Sequence, residues 1–253
     1  MKITERAWAK YIEDLRKVND KAADLVQEYL TKNGLPATRE QMNALIDYAY
    51  AVAQTYGEAA ATLSAEMYDA VAAASGAALA PAIPAEPPLI SDVAKAVVGT
   101  NKTGNEAIIA AAVARLVKQT GVDTTMQNAL RDGAEWAWIP HGDTCAFCIM
   151  LASNGWQRAS KKALKNGHAE HIHANCDCTY AVRFDDGTEV EGYDPDLYRQ
   201  EYDDADGKKW KDKLNAMRRE AYAENSEEIN AQKRSAYAKR KERESSAAEE
   251  LDV

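Results

Sequence analysis

Three residue types are scarce in this chain. Its 253 residues include four cysteines, four histidines and two phenylalanines, and alanine supplies much of the apolar content. Each buried residue therefore removes only a modest apolar area from water. No apolar run is long enough to span a bilayer, and the charged, amphipathic N-terminus lacks the apolar core of a signal peptide. We expect no membrane partner and a reducing compartment, in which clustered cysteines bind metal more often than they form disulfides.

Basic residues are outnumbered by acidic ones, 31 Lys and Arg against 40 Asp and Glu. The formal net charge is −9 and the isoelectric point is about 5.1, which argues against a nucleic-acid-binding surface along the whole chain but leaves room for a local basic patch. The sequence contains no glycine-rich phosphate-binding loop and no Gly-x-Ser-x-Gly motif. The common nucleotide-binding and serine hydrolase signatures are therefore absent.

The N-terminal region, residues 1–79, predicts a helical hairpin. Apolar residues recur at spacings of three and four over 3–33, and an Asn-Gly-Leu-Pro stretch ends that helix. Thr38 followed by Gln41 is a capping-box pattern for a second helix. We expect this second helix to run almost to the end of the region, with a break near Gly57.

A proline-rich connector, residues 80–89, follows the hairpin and is a candidate domain boundary. Residues 90–140 predict a further helical segment, without strands, that Pro140 closes. Its helices are expected near 91–98, 105–119 and 123–138.

Residues 141–193 differ from the helical segments before them, because their glycine and asparagine residues predict several turns. The alternating stretch 178–184 predicts a short strand, and a second strand is expected near 188–191. Residues 194–253 are again helical and heavily charged. We therefore predict a mainly α protein: a helical N-terminal region, a small Cys/His-clasped α+β module of the zinc-knuckle kind, and a charged C-terminal helical arm with a frayed end.

The C-terminal arm contains an internal repeat. "NAMRREAY" and "NAQKRSAY" share Asn-Ala-x-x-Arg-x-Ala-Tyr at an offset of 15 residues, which is about four helical turns. The pattern predicts either a solvated helix that docks through two tyrosines or a strip for a repeating partner. Residues 208–243 contain twelve Lys and Arg but only six Asp and Glu. The arm is therefore basic and could make a weak contact with nucleic acid. The repeated residues on this face are Asn215, Arg219, Tyr222, Asn230, Arg234 and Tyr237.

All cysteine and histidine of the chain lies within residues 141–178. Cys145 and Cys148 have C-x2-C spacing, and the second half of the window forms H-x2-C-x-C. Such spacings direct thiolate and imidazole groups at one ion, and zinc takes four of them. There are more than four candidates, so the ligand set stays open. His171 is either an alternative ligand or a hydrogen-bond partner of one of the ligands. The candidate ligands are Cys145, Cys148, His173, Cys176 and Cys178.

A closed site of this kind would be structural, because metal binding would stabilise a loop-rich segment of low apolar content. Two other interpretations remain open: a disulfide joining one cysteine of each half, or four inert buried thiols. A catalytic site is less favoured. His168-Ala-Glu170 resembles the His-x-Glu of zinc deaminases, but the accompanying Pro-Cys-x-x-Cys is absent, and no zinc-protease motif is present. We expect no enzymatic activity.

The stretch "AEWAWIPHGDTCAFCIMLASNGW…HIHANCDCTYAVRF…GYDPD" resembles phage minor head proteins related to the Mu F protein, in the subgroup from phages of Gram-positive hosts. The resemblance covers roughly 134–196, about a quarter of the chain. His171 also fits the His-x-His form of the subgroup. The matching positions are Trp136, Trp138, Asp143, Cys145, Cys148, Leu151, Gly155, His173, Cys176 and Cys178.

The resemblance implies a low-copy component of the virion head, assembled in the host cytoplasm and added at the portal vertex. Its expected partners are the portal protein, the major capsid protein, or both. Only the charged helical arm follows residue 196, so we expect no fused toxin or protease domain and carry over no enzymatic activity. The alternative is a nucleic-acid-binding or nuclease-like zinc module, for which Lys161, Lys162 and Lys165 begin a basic face that neighbouring aspartates offset.

Overall fold

Helices dominate the protein. The computed structural model describes residues 2–141, 144–160, 178–227, 230, 231 and 234. Within those residues the chain forms seven helices and five short strands, which confirms the predicted mainly α class. The residues up to Arg199 form one compact unit, and those from Gln200 onward form a second. None of the described helices is long and apolar enough to cross a membrane.

Two long helices form the predicted N-terminal hairpin. Helix α1 (Glu5–Asn33) and helix α2 (Arg39–Ala74) run antiparallel, and the ring of Tyr29 stacks on Tyr48 at 4.5 Å between centroids. The predicted capping box is confirmed, since the Thr38 hydroxyl accepts from the Gln41 backbone N–H while the Gln41 side chain accepts from the Thr38 N–H.

Helix α2 continues through Gly57, so the predicted break there is wrong. The glycine is needed for close packing: a Cβ atom at this position would lie 3.2 Å from Pro87 Cβ and 3.3 Å from Thr120 Oγ1. Gly57 thus lets the proline-rich connector approach the helix backbone. One glycine lowers the stability of the helix only slightly.

Helix α3 (Ile90–Asn101) and helix α4 (Glu106–Asp132) follow. The stretches predicted as separate helices near 105–119 and 123–138 are one helix up to Asp132. Helix α4 packs against α1, α2 and α3, so it is buried on most sides. Burial on several sides explains why its sequence lacks a single apolar stripe.

The connector predicted at 80–89 lies along α2 and α4 inside the first unit. Its backbone N–H groups donate to side chains of those helices: Ala82 to Asp69 at 2.8 Å and Ala85 to Thr124 at 2.9 Å. Since proline-rich backbone cannot form a regular ladder, side chains supply the hydrogen-bond partners instead.

A three-stranded antiparallel sheet follows α4, in the order β3–β2–β4. Strand β2 (Glu135–Ile139) overturns the prediction that helix continues to residue 138. Gly133 adopts a left-handed conformation with φ of 67° and ends α4, and the chain after it is extended. Strand β3 is Gln157–Arg158. Strand β4 (Thr179–Arg183) confirms the strand predicted over 178–184.

The remaining elements are short. Strand β1 (Lys2–Ile3) pairs in parallel with β5 (Glu189–Val190), which confirms the second strand predicted near 188–191. Helix α5 spans Ala146–Ala152 and packs against β2. Helices α6 (Pro195–Asp204) and α7 (Trp210–Glu224) lie in the C-terminal arm.

Candidate metal centre

Three of the predicted ligands lie where α5 and the sheet meet. Cys145 is the residue before α5 and is exposed, whereas Cys148 lies in the first turn of that helix and is buried. Cys178 directly precedes β4 and is also buried. Cys148 and Cys178 both belong to the hydrophobic core, which includes residues from Ile3 to Val190. The fold therefore brings the beginning and the end of the window into one small module.

The sheet register explains this proximity. Strand β2 pairs with β4 so that Ile139 lies opposite Thr179, which places Cys178 beside the end of β2. The sulfur of Cys178 lies 4.0 Å from the carbonyl oxygen of His141, a long contact for a weak thiol donor. After β2 the chain continues to α5, so Cys145 and Cys148 follow the same strand whose end lies beside Cys178.

An aromatic cluster lines the sheet face next to these cysteines. The ring of Tyr180 lies 4.6 Å from Trp136 and 4.6 Å from Trp138, and both contacts are edge-to-face. Tyr180 is 1% exposed. Burial, and secondarily negative charge on Cys148, raise the pKa of Tyr180.

The same cluster contains three buried polar atoms that lack hydrogen-bond partners among the described residues: Nε1 of Trp136, Nε1 of Trp138 and the hydroxyl of Tyr180. An indole nitrogen can only donate, and a phenol hydroxyl donates readily. The cluster is therefore rich in donors that find no acceptor among the described residues.

The other predicted ligands, His171, His173 and Cys176, lie outside the described residues, as do His168, Glu170 and the three lysines of the window. Within the described part of the chain, no three His, Cys, Asp or Glu side chains are grouped closely enough to hold a metal ion. The zinc site and its ligand set thus stay predictions.

A clamp that was not singled out from the sequence holds the end of α5. The Tyr193 hydroxyl donates to the carbonyl oxygen of Ala152 at 2.8 Å, and the Arg199 guanidinium donates to the carbonyl oxygen of Ser153 at 2.9 Å. Gly155 follows with φ of 63° and lies close to Pro195. The signal in the sequence was the Gly-Tyr-Asp-Pro-Asp motif, whose tyrosine and proline make these contacts.

The predicted partner-binding face lies in the second unit. Asn215, Arg219 and Tyr222 are exposed on α7, and the Tyr222 hydroxyl donates to Asn230 Oδ1 at 3.1 Å. This hydrogen bond joins the first copy of the repeat to the second. Arg234 is helical and exposed, and Tyr237 lies outside the described residues.

The family model for VG15 proteins matches residues 2–205. The chain belongs to the VG15 protein family. VG15 is a family of viral proteins from phages, so the phage origin expected from the sequence is confirmed. The match to VG15 includes the helical unit and the cysteine-bearing module and ends just after α6. No curated protein and no solved structure is significantly similar to the chain.

Proposed function

We propose that the chain is a minor capsid protein of a tailed phage or prophage, which joins the head at the portal vertex and remains in the virion. The observation that carries this proposal is the VG15 match over residues 2–205, which includes the window that resembles Mu F-like minor head proteins. Assembly would take place in the host cytoplasm. The role is structural, and no reaction is assigned to the protein.

The proposal includes one structural zinc ion in the cysteine-bearing module. Four of the residues Cys145, Cys148, His173, Cys176 and Cys178 would hold it, with His171 as an alternative. The ion would supply a cross-link between α5 and the start of β4, and this cross-link would stabilise the long connection between them. The C-x2-C spacing of Cys145 and Cys148 supports this site.

The portal protein and the major capsid protein are the proposed partners. The exposed face of α7 supports a docking role for the arm, because Tyr222 is 42% exposed in a helix that also exposes Asn215 and Arg219. Partly exposed tyrosines supply large contact area at low conformational cost, which suits interface anchors.

Purified particles provide the test. We expect mass spectrometry of virions to detect the protein in low copy number relative to the major capsid protein. We also expect co-expression with the portal protein of the same phage to yield a complex. A chain that is absent from purified particles and does not bind the portal protein would overturn the proposal.

Contact with DNA through the arm is a second candidate function. The observation that favours it lies at the N-terminal end of α7. Trp210 is 52% exposed and is flanked by exposed Lys209 and Lys211, a combination that suits base stacking and phosphate contact. A DNA mobility-shift assay at low and at moderate salt tests it. Salt-sensitive binding that Trp210→Ala weakens would support this function, and absence of binding at low salt would exclude it.

A further inference from the structure

We propose that the connector, residues 80–89, is a preformed polyproline II ligand for a partner protein. The groove that receives it would be lined by aromatic side chains and would carry a basic residue. The inference rests on the proposed function in one respect, since the partners to be tested are the head proteins named there. It assigns a docking role to residues of the first unit, whereas the docking face considered above lies on the arm.

The spacing of the prolines favours one backbone conformation. A polyproline II helix has about three residues per turn, so side chains three positions apart lie on one edge. Proline fixes its own φ close to the polyproline II value and disfavours the α-helix for the residue before it. The connector carries a proline at every third position: Pro81, Pro84 and Pro87.

Burial along the connector has the same period of three. Ala85 is 9% exposed, and Ala82 and Pro88, three positions to either side of it, are half-buried. A β-strand would have a period of two and would bury Ile83 together with Ala85. Ile83 is instead 60% exposed. The connector therefore buries one edge of a three-sided helix and leaves a second edge exposed.

Side chains of α2 and α4 hold the connector in this conformation. The Ile83 N–H donates to Asn128 Oδ1 at 2.9 Å, and the Ile83 carbonyl oxygen accepts from the Asn128 amide at 2.8 Å. Asn128 is 1% exposed, so a buried side chain fixes both backbone groups of an exposed residue. Gln54 donates to the Pro88 carbonyl oxygen at 2.8 Å. A ligand that is already held in its bound conformation loses little conformational entropy on binding.

The exposed edge carries two large apolar side chains. Ile83 is 60% exposed and Leu89 is 66% exposed, and the two lie about 19 Å apart along a polyproline II helix. Of the nine large apolar side chains that are exposed among the described residues, four lie between Leu79 and Ile90. Such a concentration is typical of an interaction site, whereas single exposed apolar residues are ordinary. We call Ile83, Glu86 and Leu89 the outer edge.

Glu86 determines which partner fits. It is exposed midway between Ile83 and Leu89, and no ion pair joins it to another described residue. A groove with a basic side chain at its middle would complement this carboxylate. A second copy of the chain fits less well, because a two-fold antiparallel pairing of outer edges would bring the two Glu86 carboxylates together. Proline-rich ligands dock in grooves lined by aromatic side chains, which supplies the rest of the partner's chemistry.

Three substitutions on the outer edge test the proposal without changing the core. Ile83→Ala and Leu89→Ser remove the apolar side chains, and Glu86→Lys reverses the charge. We expect each to weaken partner binding by about tenfold or more, because a few anchoring side chains dominate the affinity of an interface. Leu89→Ser should also favour α3, since Leu89 is the N-cap residue of that helix and makes no side-chain cap. Its loss of binding would therefore not come from unfolding.

The matched control is Ile108→Ala, which shortens a 42% exposed apolar side chain in the first turn of α4. Ile108 lies 16 residues before Thr124, the α4 residue that bonds Ala85, and this separation is about 24 Å along the helix. We expect this variant to bind like the wild type. Biolayer interferometry measures the affinity of the full chain for the purified portal protein and for the purified major capsid protein of the same phage, and urea unfolding checks that each variant is folded.

The outcomes separate the inference from the proposed function. Weaker binding by the three outer-edge variants, with unchanged binding by Ile108→Ala, supports the inference. If all four variants bind a head protein as tightly as the wild type does, the inference is wrong and the proposed partners stand. If the wild type binds neither head protein, the inference falls, and the composition of purified virions decides whether the proposed function falls with it. A wild-type dimer that Ile83→Ala converts to monomers, measured by light scattering, would assign the outer edge to a second copy and overturn the inference.

Discussion

The hydroxyl of Tyr193 donates a 2.8 Å hydrogen bond to the carbonyl oxygen of Ala152, the last residue of α5. Carbonyl groups in the last turn of a helix have no partner within the helix, so an outside donor stabilises its end. The Gly-Tyr-Asp-Pro-Asp motif thereby holds the helix that carries Cys148, and a motif remote in sequence supports the candidate metal centre.

Removal of this hydroxyl should therefore weaken the module. We expect Tyr193→Phe to lower the free energy of unfolding by about 1 kcal/mol, since the Ala152 carbonyl oxygen would keep only its 3.1 Å hydrogen bond from the Gly155 N–H, while the ring contacts with Trp156 and Tyr198 remain. Urea denaturation measures the change. Tyr29→Phe is the control, because the Tyr29 ring is half-buried and no hydrogen bond joins its hydroxyl to another described residue. Equal stability losses in the two variants would contradict the clamp.

The contact between α2 and α4 depends on Gly121. A Cβ atom there would lie 2.9 Å from Ser64 Oγ and 3.3 Å from the carbonyl oxygen of Ala60. The Ser64 hydroxyl is held by a 3.0 Å hydrogen bond with Tyr11, so it cannot move away without loss. We expect Gly121→Ala to destabilise the protein by about 1 to 3 kcal/mol, measured by thermal or urea unfolding.

Gly99 provides the matched control for this substitution. It lies in helix α3, and a Cβ atom there would meet no atom within 4 Å. We expect Gly99→Ala to stabilise the protein by about 0.5 to 1 kcal/mol, because alanine favours the helix. A stabilising effect at both glycines would show that α2 and α4 do not pack as closely as the structure has them.

A partly exposed group of charged and polar side chains at the end of α4 predicts a pH dependence. The Arg131 guanidinium holds the pKa of Asp132 below its ordinary value; burial opposes this effect, and the hydrogen bond from the Tyr68 hydroxyl adds a smaller lowering. A lowered folded-state pKa stabilises the protein above the unfolded value of about 3.9, and this contribution disappears as pH falls through the folded-state pKa.

We therefore expect Asp132→Asn to lower the free energy of unfolding by about 1 to 2 kcal/mol at neutral pH. The difference between wild type and variant should shrink as the pH falls well below 4. Urea unfolding across this range measures both values. A difference that stays constant from neutral to acid pH would mean that the charge of Asp132 does not stabilise the fold.

Local signals in the sequence were sufficient for the helical hairpin. The capping box at Thr38 and the periodicity of α1 depend on residues a few positions apart, so they can be recognised without tertiary information. Strand β2 was missed because Trp-Ala-Trp-Ile suits a helix end as well as a strand. Gly133 was the available signal, since a glycine after the last helical turn is a common helix terminator.

The candidate ligands were likewise identified from a local signal, and the site they would form stays a prediction. The spacing of Cys145 and Cys148 is local, and it indicates ligands without a fold. The donor cluster could not be predicted, because the pairing of Tyr180 with Trp138 depends on the register between strands far apart in sequence. The connector at 80–89 likewise needed α2 and α4 in place before its hydrogen-bond partners could be identified.

The account depends most on the metal, and metal content tests it directly. We expect protein purified under reducing conditions without chelator to contain about one zinc ion per chain by atomic emission, and Cys148→Ser to lose both the ion and stability of the module. Wild-type protein that contains no metal, with all four thiols open to titration after unfolding, would contradict the proposed metal centre.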